Sequence, residues 1–168
     1  RNLPVVLAYL GEPEALLRHS LEQARITHNH PLSDLATQAI AEICAQLILG
    51  APLARVRALS LALARAEPKF AFERAPRRST GYVVDTVQTV LHHFHQTPDF
   101  ETCLVKVVGC GDDADTTGAI AGMLAGAWGG MSALPARWLA RLEAGTRARI
   151  EQQVHQLLSG GKLFHTGK

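Results

Sequence analysis

Four glycines at four-residue intervals constrain the fold of this chain more than any other sequence feature. Gly118, Gly122, Gly126 and Gly130 follow one another through an apolar run, so on a helix they form a single stripe. Each glycine inside a helix costs about 1 kcal/mol relative to alanine, and this loss requires a compensating gain. The spacing predicts close approach of another helix along the stripe. A dynamic, poorly formed helix is the alternative.

An acidic turn precedes this helix, in the stretch GCGDDADTTG. Asp112, Asp113 and Asp115 are crowded together there, and a bound cation is the simplest relief for their mutual repulsion. Carboxylate and hydroxyl oxygens are hard ligands that suit Mg²⁺, Mn²⁺ or Ca²⁺. The pattern therefore favours a divalent-metal site, with simple capping of the helix by one of these side chains as the alternative.

The rest of the chain predicts helices, because apolar residues recur at helical spacing and no alternating run is long enough for a sheet. We expect helices over 13–25, 31–50, 52–64, 82–97, 98–108 and 116–128, and further helices around 138–142 and 150–158. The helix that starts at Pro52 is apolar nearly all round, which predicts a central, buried position. A length of 168 residues suits one domain, so the fold class predicted is all-α.

Charge and cysteine content exclude several classes of function. The formal net charge of +2 gives no general argument for binding nucleic acid or an anionic membrane. Cys44, Cys103 and Cys110 show no CxxC spacing, which fits a reducing cytoplasm, and we expect Cys103 and Cys110 to be small packing residues. No apolar run approaches the roughly 18 residues of a membrane span, so we expect a cytoplasmic protein without a transmembrane segment.

Three segments together resemble the ADP-ribosylglycohydrolase family. Gly111–Gly122, followed by Gly126-Ala127, is similar to the family's C-terminal signature GGDxDTxGAIxG…GA, and Ser79–Thr86 and Thr27–Pro31 occur in the family's order and approximate spacing. The resemblance implies a compact multi-helix bundle around two divalent metal ions, Mn²⁺ or Mg²⁺. The first residues, RNLP, resemble the segment after the family's central GNGSM stretch and lack an initiator Met. Residues 1–168 are therefore expected to be the C-terminal portion of a single all-α domain whose N-terminal part is absent.

The resemblance also implies a role for individual residues. Asp113, Asp115 and Thr116 would be metal ligands. Asp112, at a position where the family has Gly, would be an acceptor for metal-bound water or a solvated substitution.

Three further residues are implied to bind the substrate. His28 would face the phosphates or the distal ribose, and Tyr82, with the backbone at Gly81, would contact the adenosine side. The alternatives are that His28 caps the following helix and that Tyr82 packs inward.

The reaction implied is hydrolysis of the N-glycosidic bond between ADP-ribose and a protein arginine. In the family, paired metal ions hold the ribose hydroxyls and position a water, while carboxylates manage the protons. The remaining ligands and the catalytic acid or base belong to motifs of the GDxxG and TDDT kind, which this sequence lacks. The catalytic residue is therefore unknown, and we expect the segment alone to be inactive and to bind metal weakly.

The protein substrate is also suggested by resemblance. The RNLPV opening and the THNHPLSD turn are similar to those of family members that reactivate dinitrogenase reductase. ADP-ribosylated dinitrogenase reductase is therefore the expected partner, with regulatory proteins as further partners.

Two other functions remain open from the sequence. A non-catalytic module could bind ADP-ribose or a protein through the same cleft, although the presence of all three predicted ligands argues against lost hydrolysis. A nucleic-acid or acidic-partner module could use the basic loop before Tyr82, in which aromatic residues alternate with charge. Its residues are Lys69, Phe70, Phe72, Arg74, Arg77 and Arg78. Glu73, two prolines and the small net charge argue against it, and no nucleic-acid partner is expected.

The histidine cluster at the end of the 82–97 helix permits two interpretations. His92 and His95 share a helix face, which would allow metal binding. A solvated face near a helix C-terminus, where imidazolium is favoured, is the interpretation we prefer because no acidic or cysteine residue is adjacent in sequence.

Overall fold

The computed structural model describes residues 2–74 and 79–160, and within these ranges the chain is helical and contains no β-strand. The α-helices are α1 (Leu3–Ala8), α2 (Pro13–Arg25), α3 (Pro31–Ile48), α4 (Leu53–Ala66), α5 (Val83–Gln96), α6 (Phe100–Gly109), α7 (Ala114–Gly129), α8 (Ala136–Leu139) and α9 (Ala144–Gly160). Short 3₁₀ turns occupy Pro68–Phe70 and Met131–Ala133. The predicted all-α fold is confirmed, whereas α1 was not predicted.

The helices begin at the proline and capping residues that mark helix starts in the sequence. Pro13 and Pro31 stand at the first positions of α2 and α3, where the missing N–H costs nothing. Asp99 precedes α6, and its carboxylate accepts a hydrogen bond from the Thr102 N–H at 2.8 Å. Helix α7 begins at Ala114, two residues before the predicted start at Thr116. The predicted boundaries are therefore close to those observed.

Helix α3 lies at the centre of the bundle and contacts α1, α2, α4, α5 and α7. Its residues Ile43 and Cys44 are fully buried. The predicted central position of α4 is wrong, because along its length Val56, Ser60 and Leu63 are the buried residues. The rest of α4 consists of arginines, alanines and three leucines that are exposed or only partly buried, so most of its surface lies in water.

Helices α6 and α7 form an antiparallel hairpin, and the glycine stripe of α7 faces α6. A Cβ added to each glycine would lie 3.0 Å from Val108 Cγ2 at Gly118, 3.7 Å from Leu104 Cδ1 at Gly122, and 3.8 Å from Phe100 Cε2 at Gly126. Side chains of α6 thus fill the stripe, and the predicted neighbouring helix is confirmed. The hairpin fixes the acidic turn at its closed end.

The basic loop does not present its aromatic residues to a partner. Phe70 and Phe72 are 0% and 2% exposed and belong to the core. Lys69 and Arg74 are exposed, while Arg77 and Arg78 lie outside the described residues. Without exposed rings to stack on bases, the nucleic-acid interpretation loses its main support.

No helix in the described ranges is long and apolar enough to cross a membrane.

Candidate active site

The acidic turn reverses the chain between α6 and α7. Gly111 and Asp112 adopt left-handed backbone conformations, with φ of +73° and +50°. Asp113 then precedes α7, and its carbonyl oxygen accepts the Thr117 hydroxyl at 2.9 Å. Its carboxylate makes no capping hydrogen bond, so simple capping does not explain this residue. Asp112 is exposed, as expected for a solvated substitution.

A second segment of the chain lies directly against Asp113. The Asp113 N–H donates to the carbonyl oxygen of Ser79 at 2.9 Å. A Cβ placed on Gly81 would lie 3.3 Å from Asp113 Oδ2, so only a residue without a side chain leaves that carboxylate undisturbed. The structure thus joins the Ser79–Thr86 segment to the acidic turn, and it brings predicted ligand Asp113 beside predicted substrate residue Gly81.

The turn of residues 79–82 is held from below by the first turn of α5. Thr80 Oγ1 donates to Asp85 Oδ2 at 2.6 Å and accepts the Tyr82 N–H at 3.2 Å. The Thr86 hydroxyl donates to the Thr80 carbonyl at 3.1 Å. The roles of these residues were not predicted from the sequence, although an acidic residue in the first turn of a helix commonly bonds back to the preceding segment.

The donor atoms at the turn suit part of a site for a hard cation. Asp113 is half-buried, and Asp115 and Thr116 are exposed to solvent. Among the described residues, neither Asp113 nor Asp115 forms an ion pair with a cationic side chain. Two unpaired carboxylates and a hydroxyl are oxygen ligands of the kind that Mg²⁺ and Mn²⁺ bind.

These donors do not complete a site by themselves. No group of three or more His, Cys, Asp or Glu side chains within residues 2–74 and 79–160 is arranged to hold a metal ion. Asp112, Asp113 and Asp115 therefore do not converge on one point. Since Mg²⁺ requires about six oxygen ligands, most of its shell would come from water, substrate or other residues.

The other predicted substrate residues lie on two different turns. Tyr82 is 49% exposed at the start of α5, so the alternative that it packs inward is wrong. His28 is exposed between α2 and α3, and its ring is 2.7 Å from the Thr27 hydroxyl. The residue that caps α3 is His30, whose Nδ1 accepts the Leu32 N–H, so the capping alternative for His28 is also wrong.

The histidines at the end of α5 are not the solvated face that the sequence suggested. His95 Nε2 is 3.0 Å from the Ser60 hydroxyl of α4, and its ring lies tilted against that of Phe72, with the ring centroids 5.1 Å apart. Burial, with a smaller effect from the Arg57 charge, lowers the pKa of His95 to about 4. His92 Nδ1 is 2.9 Å from the Phe72 carbonyl oxygen. These two histidines of α5 therefore hold the loop that follows α4 in place, through their contacts with Phe72.

The cysteines divide into buried and exposed positions. Cys103 is buried, which confirms its predicted packing role. Cys110 is exposed at the end of α6, so the same prediction for Cys110 is wrong, and its Sγ lies 3.4 Å from His93 Nε2.

Comparison with known proteins identifies the family of this chain. The family model for ADP-ribosylglycohydrolase matches residues 1–164. The chain belongs to the ADP-ribosylglycohydrolase family. The resemblance deduced from the three sequence segments is thereby confirmed.

Two curated members of the family show the degree of similarity. It is 45% identical over 159 residues to ADP-ribosyl-[dinitrogen reductase] glycohydrolase of Rhodospirillum rubrum, covering 95% of this chain and 54% of that protein. It is 32% identical to ADP-ribosylarginine hydrolase Tri1 of Pseudomonas putida, covering 73% of this chain and 35% of the relative. The chain thus spans about half the length, or less, of these relatives.

A solved structure described as an ADP-ribosylglycohydrolase-related protein complex superimposes with a TM-score of 0.84 and 34% sequence identity. The match covers 93% of this chain and 56% of the other. At this similarity the ADP-ribosylglycohydrolase chain shares the fold of that structure over nearly all of its length.

Proposed function

We propose that this chain is the C-terminal part of an enzyme that hydrolyses the N-glycosidic bond between ADP-ribose and a protein arginine. The observation that carries this proposal is the contact between the Ser79–Thr86 segment and the acidic turn at Asp113, whose carboxylate makes no capping hydrogen bond to α7. The 45% identity to the Rhodospirillum rubrum glycohydrolase favours ADP-ribosylated dinitrogenase reductase as the substrate.

Asp113, Asp115 and Thr116 are the residues that would hold the divalent ions, Mn²⁺ or Mg²⁺. When bound, two such ions would supply positive charge that orients the ribose hydroxyls and lowers the pKa of a bound water. Asp113 and Asp115 bring negative charge to this end of α7, where the helix N-terminus also favours it. The Thr116 hydroxyl adds a neutral oxygen from the same turn.

The turn of residues 79–82 supplies the neighbouring surface. Gly81 is exposed beside Asp113 and Tyr82 is exposed next to it in the chain, so the Gly81 backbone and the Tyr82 ring can contact the adenosine side of ADP-ribose. His28 would contact the phosphates or the distal ribose from the turn between α2 and α3. We place the catalytic acid or base in the other half of the family domain, since the GDxxG and TDDT motifs are absent from residues 1–168.

The test measures release of ADP-ribose from arginine-modified dinitrogenase reductase while Mn²⁺ is titrated, with the other half of the family domain supplied. Asp113→Ala is expected to lower metal-dependent release by at least about 100-fold, because second-sphere changes alone cost about 10–100-fold in such sites. Asp112→Asn is the matched control, since it removes an exposed neighbouring charge while asparagine tolerates the left-handed backbone at this position, and it is expected to leave release within about threefold of the wild type.

Three results would count against the proposal. Equal loss in both variants would show that only the total charge of the turn matters. Unchanged turnover in Asp113→Ala would remove the ligand assignment. Binding of ADP-ribose without release, in a protein that contains both halves, would favour a non-catalytic module of the same fold.

A further inference from the structure

Hydrogen bonds hold the turn of residues 79–82 on two sides, to Asp85 in α5 and to the predicted metal ligand Asp113. The Thr80 hydroxyl donates its proton to the Asp85 carboxylate at 2.6 Å. The Thr80 hydroxyl oxygen in turn accepts a hydrogen bond from the Tyr82 N–H at 3.2 Å. A hydroxyl has one proton, so an acceptor at residue 85 determines which way the Thr80 group points.

The same turn presents two contacts to the acidic segment. Ser79, next to Thr80, accepts the Asp113 N–H through its carbonyl oxygen at 2.9 Å. On the other side of Thr80, Gly81 lies against Asp113 Oδ2. A change in the backbone conformation of Thr80 would therefore move both of these contacts with Asp113.

We propose that Asp85 is a positioning residue that, through the Thr80 hydroxyl, holds the turn of residues 79–82 against Asp113 and so orients the Asp113 carboxylate for a divalent cation. The assignment to a cation rests on the proposed function, whereas the mechanical link between Asp85 and Asp113 does not. Asp85 lies in the first turn of α5 and does not belong to the acidic turn itself.

The first measurement tests the mechanical link between Asp85 and Asp113 in the absence of metal. Hydrogen exchange at the Asp113 amide reports its bond to Ser79. In Asp85→Ala and Thr80→Val we expect this exchange to be about tenfold faster, as loss of one hydrogen bond of ordinary strength predicts. Asp85→Asn keeps an acceptor oxygen and is expected to remain within about threefold of the wild type. The double variant is expected to be no worse than either single change, since both break the same bond.

Asp99→Ala is the matched control for this measurement. Asp99 accepts the Thr102 hydroxyl at 2.8 Å, which is the same kind of bond, but it lies at the opposite end of the α6–α7 hairpin. Its loss is expected to weaken α6 while leaving exchange at the Asp113 amide unchanged. If Asp85→Ala does not fold, Thr80→Val, which keeps the side-chain shape, supports the same comparison.

The second measurement is Mn²⁺ affinity with the other half of the family domain supplied. We expect about a tenfold loss in Asp85→Ala and Thr80→Val, a smaller loss in Asp85→Asn and none in Asp99→Ala. Unchanged exchange at Asp113 in both Asp85→Ala and Thr80→Val would overturn the proposal. So would faster exchange with unaltered affinity. If Asp113→Ala binds Mn²⁺ as well as the wild type, the proposed function fails, and the exchange data alone then decide whether Asp85 positions Asp113.

Discussion

Replacing glycines of the α7 stripe by alanine tests how tightly the α6–α7 hairpin is packed. The structure predicts that the three positions facing α6 differ. At Gly122 and Gly126 an added Cβ would lie 3.7 and 3.8 Å from the nearest α6 side chain, which are ordinary contact distances. At Gly118 it would lie 3.0 Å from Val108 Cγ2, which is too close without movement.

These distances set the expected changes in the free energy of unfolding. Gly122→Ala and Gly126→Ala are each expected to stabilise by about 0.5–1 kcal/mol, because alanine is the better helix former and lowers the entropy of the unfolded chain. At Gly118 the same gain is offset by crowding of about 1–3 kcal/mol. Val108 is 47% exposed and can shift, so we expect a net effect between neutral and about 1 kcal/mol destabilising.

Urea unfolding followed by circular dichroism at the helical band measures these changes, provided that the slope with denaturant is unchanged. Gly130→Ala serves as a control with the opposite sign, since φ of +67° and ψ of −172° there form a backbone conformation that essentially only glycine adopts, and a side chain is expected to cost about 1–3 kcal/mol. Destabilisation by more than about 1 kcal/mol in both Gly122→Ala and Gly126→Ala would refute the reasoning. It would mean that the stripe allows a closer helix approach than these distances describe.

Three further predictions concern the site and the core. Gly81→Ala is expected to reduce Mn²⁺ affinity by about tenfold with little change in unfolding temperature, because its Cβ would lie 3.3 Å from Asp113 Oδ2; calorimetric titration and thermal melts separate the two effects. Stability is expected to fall as pH drops from about 6.5 to about 4, because the partly buried His95 has a folded pKa of about 4 and the unfolded chain binds the proton more readily. The free energy of unfolding is expected to fall by about 1–2 kcal/mol, after allowance for the partial exposure of His95. Urea unfolding measured between about pH 6.5 and about pH 4 should show no such fall in His95→Gln. A maleimide is expected to label Cys110 in the folded protein and Cys44 only after unfolding, since Cys44 is 0% exposed and burial raises the pKa of its thiol to about 12; mass spectrometry of the labelled peptides checks this, and early labelling of Cys44 would contradict it.

The sequence predicted the helices well where local signals are strong. Prolines at the starts of α2 and α3 act through the backbone of their own first turn, so their effect can be read without tertiary information. The same holds for Asp99 before α6. Position in the bundle is a different matter: α4 is apolar in composition but peripheral, because small alanines tolerate exposure and arginines need water.

Burial of polar residues also required the folded chain. From the sequence, a histidine at a helix end is equally compatible with exposure to solvent and with a contact to a distant part of the chain. In the folded protein, His95 contacts Ser60 of α4 and Phe72 of the following loop. The opposite error occurred at Cys110, since nothing local distinguishes a packing cysteine from one left outside the core.

For the site, the sequence by itself determined the chemistry of the donors and the family to which they belong. The acidic turn places carboxylates and a hydroxyl together directly before a helix with a glycine stripe. This pattern is local in the chain, so it can be recognised from the sequence alone. Only the tertiary structure decided which of them meets a second segment: Ser79 and Gly81 contact Asp113, and Asp85 supports that turn from α5. Contacts between segments so far apart in the chain depend on how α5 and the α6–α7 hairpin pack, and that packing is a property of the whole core.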